Sequence, residues 1–255
     1  MLEVTGFQKA YRGTLAVKDL SFSIEPGAIM GLLGPNGAGK TSTLRSIAGI
    51  IPPTQGTLKV AGHDIVKDSI HAKQQLAYVP DDPKLFETLT VFEHLQFIAK
   101  AYHVADWQRK AETLLGQFEL LEKRNTLAHE LSRGMRQKVA ICCAYLHDPK
   151  LIMFDEPHTG LDPRGIRTMK DSVEQRARDG AAVIVSSHLL ELVEDVCTHL
   201  LILHRGQSLF FGRIEDVRAT FAEGDASTSL EEIFFRVTEG GGETVPDLHQ
   251  EARKP

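Results

Sequence analysis

The chain alternates short apolar runs with segments of helical periodicity. The apolar runs have the length of buried strands, and two of them, residues 151–154 and 181–185, are apolar throughout. Such continuous runs are typical of parallel strands covered on both faces. Residues 20–24 instead alternate apolar and polar side chains, and residues 52–56 are predicted to form a turn. The predicted strands are residues 2–4, 20–24, 28–33, 57–62, 76–80, 151–154, 181–185 and 200–203.

Helical periodicity dominates from Thr90 to Leu146, where apolar residues such as Val91 and Leu95 recur at helical spacing. This region predicts an α-helical insertion between two strands of the sheet. A polar helix follows at about residues 164–178. Near the chain end an amphipathic helix is predicted at residues 230–237, followed by a glycine-rich polar segment that is expected to be flexible.

Composition and charge narrow the class of protein. The chain has 255 residues, 42% hydrophobic and 25% charged, which is ordinary for a globular protein. The formal net charge of −5 argues against nucleic acid as a partner. We see no signal peptide and no apolar run of the ~18 residues that a membrane span needs. We therefore expect a cytoplasmic protein.

Residues 34–41 read Gly-Pro-Asn-Gly-Ala-Gly-Lys-Thr and fit the phosphate-loop pattern G-x-x-x-x-G-K-[ST]. A predicted strand precedes the motif and a helix start follows it. The glycines let backbone N–H groups point inward, and the helix N-terminus adds partial positive charge. Lys40 is then expected to reach the β- and γ-phosphates, and the Thr41 hydroxyl to ligate Mg²⁺.

A buried strand at residues 151–154 ends in the carboxylates Asp155 and Glu156. Placed beside the strand of the phosphate loop, Asp155 is expected to hold the Mg²⁺ hydration shell. Glu156 is expected to polarise the attacking water as general base. Alone, the pair is equally typical of solvated acids at a strand end. The complete phosphate loop upstream favours the catalytic interpretation.

Residues 131–137, Leu-Ser-Arg-Gly-Met-Arg-Gln, open a helix in which Ser132 is a good N-cap. From the residues alone, a capped amphipathic helix and a second anion site at a helix N-terminus are equally good interpretations. Residues 131–137 resemble the signature of ATP-binding cassette (ABC) proteins, best known as Leu-Ser-Gly-Gly-Gln. The order phosphate loop, signature, acidic strand and then His188 matches too, over about residues 2–215.

This resemblance implies an α/β fold: a P-loop NTPase (RecA-like) core with an antiparallel β subdomain and an α-helical insertion. The ATP-binding cassette domain is expected at residues 1–220, with the helical subdomain inserted at about 82–148. A C-terminal helix and flexible tail are expected at residues 221–255.

The resemblance also implies roles for single residues. Tyr11 matches the aromatic residue that stacks on adenine, and His188 the switch histidine that contacts the γ-phosphate. The catalytic candidates are Lys40, Glu156 and His188, and the metal candidates are Thr41, Asp81 and Asp155. The residues implied to hold ATP are Tyr11, Gly34, Pro35, Asn36, Gly37, Ala38, Gly39, Lys40, Thr41 and Ser42, with Ser132 and Gly134 serving the ATP of a second subunit.

Partners follow from the same resemblance. A second ATP-binding subunit, identical or related, is expected to pack head to tail so that each ATP lies between two subunits. The helical insertion is expected to receive a helix from an integral membrane transporter subunit. The chain would thus lie peripherally on the inner face of the cell membrane. Residues 85–91 and 229–234 resemble exporter-type subunits, which favours export over import.

Two positions depart from the family pattern. Asp81 stands where a glutamine usually ends the strand before the helical insertion, and Arg133 replaces the first signature glycine. Asp81 is expected to keep a Mg²⁺-sensing role with a stronger metal requirement, or else to be a turn residue. Arg133 and Arg136 are expected either to add positive charge near phosphate or to be solvated. His158 is given no role.

The sequence is compatible with three functions to different degrees. The first is the ATP-hydrolysing subunit of an ABC transporter, with ATP and Mg²⁺ as cofactors. The alternative is a soluble ABC-type ATPase for cofactor assembly or another non-transport role. A small-molecule kinase with a phosphate loop is disfavoured by residues 131–137 together with His188.

Overall fold

The computed structural model describes residues 1–221, 230–232 and 234. Within them the strands form two sheets. The strands are β1 Leu2–Tyr11, β2 Thr14–Ile24, β3 Ile29–Leu33, β4 Gln55–Val60, β5 His63–Asp64, β6 Leu76–Val79, β7 Leu151–Asp155, β8 Ala182–Ser186, β9 His199–His204 and β10 Gln207–Arg213. The smaller sheet is antiparallel and has the order β2-β1-β4-β5.

The larger sheet has the order β10-β9-β3-β8-β7-β6. The neighbouring strands from β9 to β6 pair in parallel. Of the described strands in this sheet, only β10 pairs antiparallel with its neighbour, β9. This order confirms the predicted α/β P-loop NTPase fold. It places the ends of β3, β7 and β8 side by side at one edge, where the phosphate loop and the acidic residues follow them.

Side chains of the larger sheet alternate between two cores, since successive residues of a strand face opposite sides. On β3, Ile29 and Leu33 enter one core, and Met30 and Leu32 the other. The first core also contains apolar residues of the helices after β6, and the second those of the antiparallel sheet. All five residues of β3, β7 and β8 are buried, which explains their continuously apolar sequence.

The described helices connect these strands. They are α1 Lys40–Ile47, α2 Ser69–Gln74, α3 Val91–Ala101, α4 Trp107–Gln117, α5 Arg133–Tyr145, α6 Pro163–Arg178, α7 Leu190–Val196 and α8 Ile214–Phe221. Helices α3, α4 and α5 lie between β6 and β7 in the chain, in the region where helical periodicity was predicted. The domain boundaries at 82 and 148 stay a prediction. No helix in the described part of the chain is long and apolar enough to cross a membrane.

Side-chain caps fix several helix starts. Thr90 and Glu93 form a reciprocal capping box at the start of α3. Ser132 Oγ accepts a hydrogen bond from the Met135 N–H at the start of α5, as the sequence predicts. Asp162 caps α6 by accepting from the Gly165 N–H at 3.0 Å.

The turn predicted at residues 52–56 is partly wrong, because β4 already begins at Gln55, which pairs with Gln8 of β1. At the chain end, Leu230 is fully buried in the core and donates its N–H to Glu194 Oε1 at 2.9 Å. The rest of the helix predicted at residues 230–237, apart from 230–232 and 234, and the predicted flexible tail lie outside the described residues.

Candidate functional site

The phosphate loop joins β3 to α1 in a conformation that needs its glycines. Gly39 has a φ of 107°, and a Cβ there would lie 2.8 Å from the Ala16 carbonyl oxygen. A Cβ on Gly34 would clash with the Leu203 carbonyl. No side chain of the described residues caps the start of α1, so its first N–H groups are available to an anion.

Lys40 lies at the first position of α1 and is 9% exposed. Its Nζ donates to the carbonyl oxygens of Gly34 at 2.6 Å and Pro35 at 3.3 Å. Burial lowers the pKa of Lys40, and the charges of Glu156 and Asp155 oppose that shift. The ammonium is thus folded back onto the loop, within the cradle that a phosphate group would enter.

Glu156 and His188 are brought together across the ends of β7 and β8. His188 Nδ1 lies 2.8 Å from Glu156 Oε2, and the His188 N–H donates to the same oxygen at 3.3 Å. Glu156 has a left-handed φ of 51°, held by its N–H bond to the Ser186 carbonyl at 2.9 Å. Such strain in a non-glycine residue is found mainly where the surrounding structure fixes a functional side chain.

Asp155 ends β7 and is 4% exposed. The Tyr78 hydroxyl donates to its Oδ2 at 3.1 Å. Burial and the Asp155 charge raise the pKa of Tyr78, so this hydroxyl stays a donor at neutral pH. Tyr78 was not assigned from sequence; the available signal was its place at the end of β6, the strand that pairs with β7.

Asp81 and Arg133, the two departures from the family pattern, contact each other. Arg133 Nη2 donates to Asp81 Oδ1 at 3.0 Å, and both side chains are about half exposed. The carboxylate of Asp81 is therefore engaged by a guanidinium. Arg136 differs from Arg133, because its Nη1 donates to the Leu131 carbonyl at 3.0 Å.

The start of α5 packs closely on the loop that follows Glu156. A Cβ on Gly134 would clash with the Gly160 carbonyl, and a Cβ on Gly160 would lie 3.0 Å from Arg133 Cγ. Gly134 is thus required by packing within the chain, whatever it contacts in a second subunit. The signature and the loop at residues 159–162 form one continuous surface.

These elements enclose a cavity of about 590 Å³. Of the predicted site residues, Gly34, Pro35, Asn36, Asp81, Glu156 and His188 line it, together with Leu33, Arg133, Thr159, Ser187, Leu190 and Phe234. Ser132 and Gly134 do not line this cavity. Tyr11 does not line it either. Its hydroxyl is 3.4 Å from Ser42 Oγ, and Lys9 Nζ lies 4.9 Å from its ring centroid.

His158 is the residue that sequence reasoning left without a role. Its Nε2 lies 3.9 Å from Glu156 Oε2, and its ring centroid is 5.1 Å from that of His188. Burial lowers the pKa of His158, with the Glu156 charge opposing the shift. Two imidazoles therefore flank the Glu156 carboxylate. The sequence signal was only that His158 follows Glu156 by two positions.

A second, more apolar cavity of about 460 Å³ lies between β6, α3 and α5. We call it the docking groove. Its lining residues are Ala48, Ile50, Lys73, Leu76, Ala77, Tyr78, Pro80, Pro83, Lys84, Leu85, Phe86, His94, Phe97, Ile98, Tyr102, Ala140, Cys143, Ala144 and His147. Ile50, Phe86 and Phe97 are each at least half exposed, which is unusual for large apolar side chains.

Comparisons with known proteins agree with this geometry. The family model described as ABC transporter matches residues 17–159. The chain is 34% identical to the ABC-type transporter ATP-binding protein EcsA of Bacillus subtilis (strain 168), over 93% of this chain and 96% of EcsA. It is also 34% identical to the SkfA peptide export ATP-binding protein SkfE of the same organism, over 85% of this chain and 92% of SkfE.

A solved structure, titled as the ATP binding subunit of an ABC transporter, superimposes with a TM-score of 0.88 at 33% identity. The superposition covers 93% of this chain and 99% of the chain of the solved structure. The residues that the family model matches include the phosphate loop, the helices after β6 and the acidic strand. The chain belongs to the ABC transporter family, as an ATP-binding subunit that hydrolyses ATP to power transport.

Proposed function

We propose that this subunit powers export through a separate membrane-spanning partner, with hydrolysis in a composite site of two ATP-binding subunits. The observation that carries the proposal is the cavity in which the phosphate loop faces the Glu156–His188 pair. Export is favoured because the similar protein SkfE is described as a peptide export ATP-binding protein. The chain would then act at the cytoplasmic face of the membrane.

The phosphate loop would hold ATP through its backbone. The N–H groups of Asn36, Gly37 and Gly39 would add to those of Lys40, Thr41 and Ser42 at the uncapped start of α1. Lys40 would exchange its bonds to the Gly34 and Pro35 carbonyls for phosphate oxygens, which bind an ammonium more strongly because they are charged. Half-exposed Tyr11 would stack on the adenine ring.

The residues at the ends of α1 and β7 fit a Mg²⁺ ion. Thr41 offers a hydroxyl and Asp155 a buried carboxylate, the oxygen donors that this hard cation prefers. The buried Ser186 Oγ, opposite Asp155 in the sheet, has no hydrogen-bond partner among the described residues. Bound Mg²⁺ would neutralise charge on the phosphates. Asp81 would join this site only after release from Arg133.

Glu156 would act as the general base on the attacking water. Its Oε2 accepts from the His188 backbone N–H and lies 2.8 Å from His188 Nδ1, which leaves Oε1 to accept the proton. His188 would turn from Glu156 to the γ-phosphate as the switch residue. Lys40, at the start of α1, would stabilise the charge that develops on the γ-phosphoryl group.

A second subunit would complete the site. Ser132 and Gly134 do not line the cavity of their own chain, which agrees with a role toward the ATP of a second subunit. ATP between the two subunits would favour the closed pair, and hydrolysis would release it. Gly134 and Gly160 pack together, so closure of the signature surface would also move the loop after Glu156.

The docking groove fits the membrane partner. Exposed Phe86 and Phe97 stand on its rim, and their ring centroids are 5.3 Å apart in a T-shaped contact. An amphipathic helix in an apolar groove is a common recognition mode. The groove shares Tyr78 with the Asp155 environment, so a bound helix would touch an element that also contacts the nucleotide site.

Lys40→Ala tests the proposal. Loss of a charge-assisted phosphate contact, worth roughly 1.5–3 kcal/mol, should weaken ATP binding about 10- to 150-fold. Binding of a fluorescent ATP analogue and release of phosphate would be measured. Lys18→Ala, which removes a half-buried lysine side chain on β2, is the matched control and should retain both ATP binding and hydrolysis. Normal turnover in Lys40→Ala would contradict the assignment of the site.

A further inference from the structure

An arrangement of two histidines and an aspartate lies at the edge of the antiparallel sheet. His63 is on β5, the outer strand of the order β2-β1-β4-β5. Asp68 directly precedes α2, and His71 lies on its first turn. None of the three residues lines the nucleotide cavity or the docking groove.

The Asp68 carboxylate contacts both imidazoles, one with each oxygen. Its Oδ2 lies 2.7 Å from His63 Nδ1, and its Oδ1 lies 2.6 Å from His71 Nδ1. The two rings are stacked, with centroids 5.4 Å apart and planes 30° from parallel. Both Nδ1 atoms therefore face the Asp68 carboxylate, one toward each oxygen.

The helix start gives an independent sign that Asp68 is used for these contacts. Aspartate at the N-cap normally accepts a hydrogen bond from the N–H groups of the first turn. Asp68 occupies the N-cap position of α2 but makes no such bond. Its carboxylate is turned away from the helix backbone and toward His63 and His71.

The charge of this group suits a cation. Asp68 supplies a carboxylate that both imidazoles contact. The three side chains are between 39% and 63% exposed, so a hydrated ion has access. Each neutral imidazole can move its proton to Nε2, which leaves an Nδ1 lone pair for a metal.

We propose that His63, Asp68 and His71 form a binding site for a divalent transition-metal ion of the zinc class. Their ligand atoms all lie within 4.8 Å of one another. Tetrahedral coordination at about 2.0–2.2 Å needs donor separations of about 3.3 Å, which small side-chain rotations supply. Two imidazoles and a carboxylate suit Zn²⁺, Co²⁺, Ni²⁺ and Cu²⁺, whereas Mg²⁺ and Ca²⁺ prefer oxygen ligands.

Bound metal ties the edge strand β5 to α2. Lys73, two residues after His71, lines the docking groove, so the metal also steadies the segment that leads to that groove. Three protein ligands leave a coordination position for water. The site concerns neither ATP nor hydrolysis, so its test is independent of the proposed function.

Binding of Zn²⁺ to the full chain without a polyhistidine tag, measured by calorimetry, tests the proposal. Co²⁺ gives a second readout through its visible absorption. We expect saturable binding that His63→Ala and His71→Ala each weaken at least about tenfold, because each removes one of three ligands. His103→Ala, which removes an exposed histidine elsewhere, should bind as the wild type does.

A second group of possible ligands, Glu156, His158 and His188, must be distinguished. Loss of Zn²⁺ binding in His158→Ala, with His71→Ala unchanged, would overturn the proposal. Equal binding by all variants would overturn it too. Asp68→Asn keeps the shape of the side chain and removes its charge, so weaker binding by this variant supports the site even where a histidine variant folds poorly.

Discussion

At the scale of single residues, the site depends on contacts that orient charged groups before any nucleotide enters. His188 directs the Glu156 carboxylate, Tyr78 holds Asp155, and carbonyl oxygens hold Lys40 within the phosphate loop. Groups fixed in this way need little reorganisation during the reaction. The left-handed φ of Glu156 also costs conformational free energy, which the rest of the folded structure offsets.

Glu156→Gln should separate ATP binding from hydrolysis. The amide keeps the size and hydrogen bonding of the side chain but cannot take a proton, so hydrolysis should fall about 10²- to 10⁴-fold. ATP binding should persist, and in the presence of ATP the dimer should accumulate, as measured by size-exclusion chromatography. Glu119→Gln, which alters an exposed carboxylate paired with Arg164, is the control. A strictly monomeric Glu156→Gln protein with ATP would count against the two-subunit site.

Asp81 and Arg133 should show opposite effects on Mg²⁺ dependence. Removing the guanidinium in Arg133→Ala frees the Asp81 carboxylate, so the Mg²⁺ concentration for half-maximal hydrolysis should fall. This Mg²⁺ concentration should rise in Asp81→Ala. The double variant should require the same Mg²⁺ concentration as Asp81→Ala. Stability should change by less than ~1 kcal/mol, because the pair is exposed.

The matched control for this pair is Arg136→Ala, whose guanidinium donates to the Leu131 carbonyl instead of to Asp81. It should leave Mg²⁺ dependence as it is. Unchanged Mg²⁺ dependence in both Asp81→Ala and Arg133→Ala would mean that Asp81 is a turn residue, the alternative that the sequence left open.

At the scale of elements, helix starts do much of the positioning. Helix α1 presents uncapped N–H groups to the phosphate loop, whereas α5 is capped by Ser132. The difference follows from function, since a cap at α1 would compete with phosphate for the same donors. Ser132 therefore serves the stability of α5 as well as its proposed contact with a second subunit's ATP.

Substitutions at Ser132 should separate these two roles. Ser132→Ala loses the cap and should lower the free energy of unfolding by ~1 kcal/mol. Ser132→Asp keeps a cap but places negative charge where phosphate is expected, so stability should persist while hydrolysis falls. Thr90→Ala, which removes the cap of α3, should lower stability alone. Urea unfolding and phosphate release are the measurements; full activity in Ser132→Asp would exclude the nucleotide role.

At the scale of the whole molecule, the nucleotide cavity and the docking groove lie on the same set of elements. Pro80 and Asp81 directly follow β6, and Pro80 lines the groove whereas Asp81 lines the cavity. Helix α5 begins beside the cavity at Arg133 and lines the groove with Ala140. Movement of these shared elements is therefore the physical route by which a bound partner and bound ATP would influence each other.

Polar substitutions in the groove should uncouple the chain from its partner. Phe86→Ser and Phe97→Ser remove exposed rings, so hydrolysis by the isolated chain should persist while co-purification of the membrane subunit is lost. Val66→Ser, an exposed apolar residue outside the groove, is the control. Undiminished co-purification in both phenylalanine variants would place the partner elsewhere.

Features that depend on residues close together in the chain can be predicted from the sequence. The strand, glycine loop and helix of residues 28–48 follow from local backbone chemistry, and so do the Ser132 cap and the acidic end of β7. The order of these motifs also identified the family. The helix predicted at residues 230–237 is only partly described, so its length stays a prediction.

Contacts between residues distant in sequence depend instead on how the strands and helices pack. Asp81 meets Arg133 across 52 positions, and Tyr78 meets Asp155 across 77. Neither contact follows from periodicity, because each depends on how β6, β7 and α5 pack against one another. The docking groove and the contact of His188 with Glu156 arise in the same way. Local sequence determines where the strands and helices form, and their packing determines which side chains lie in the same site.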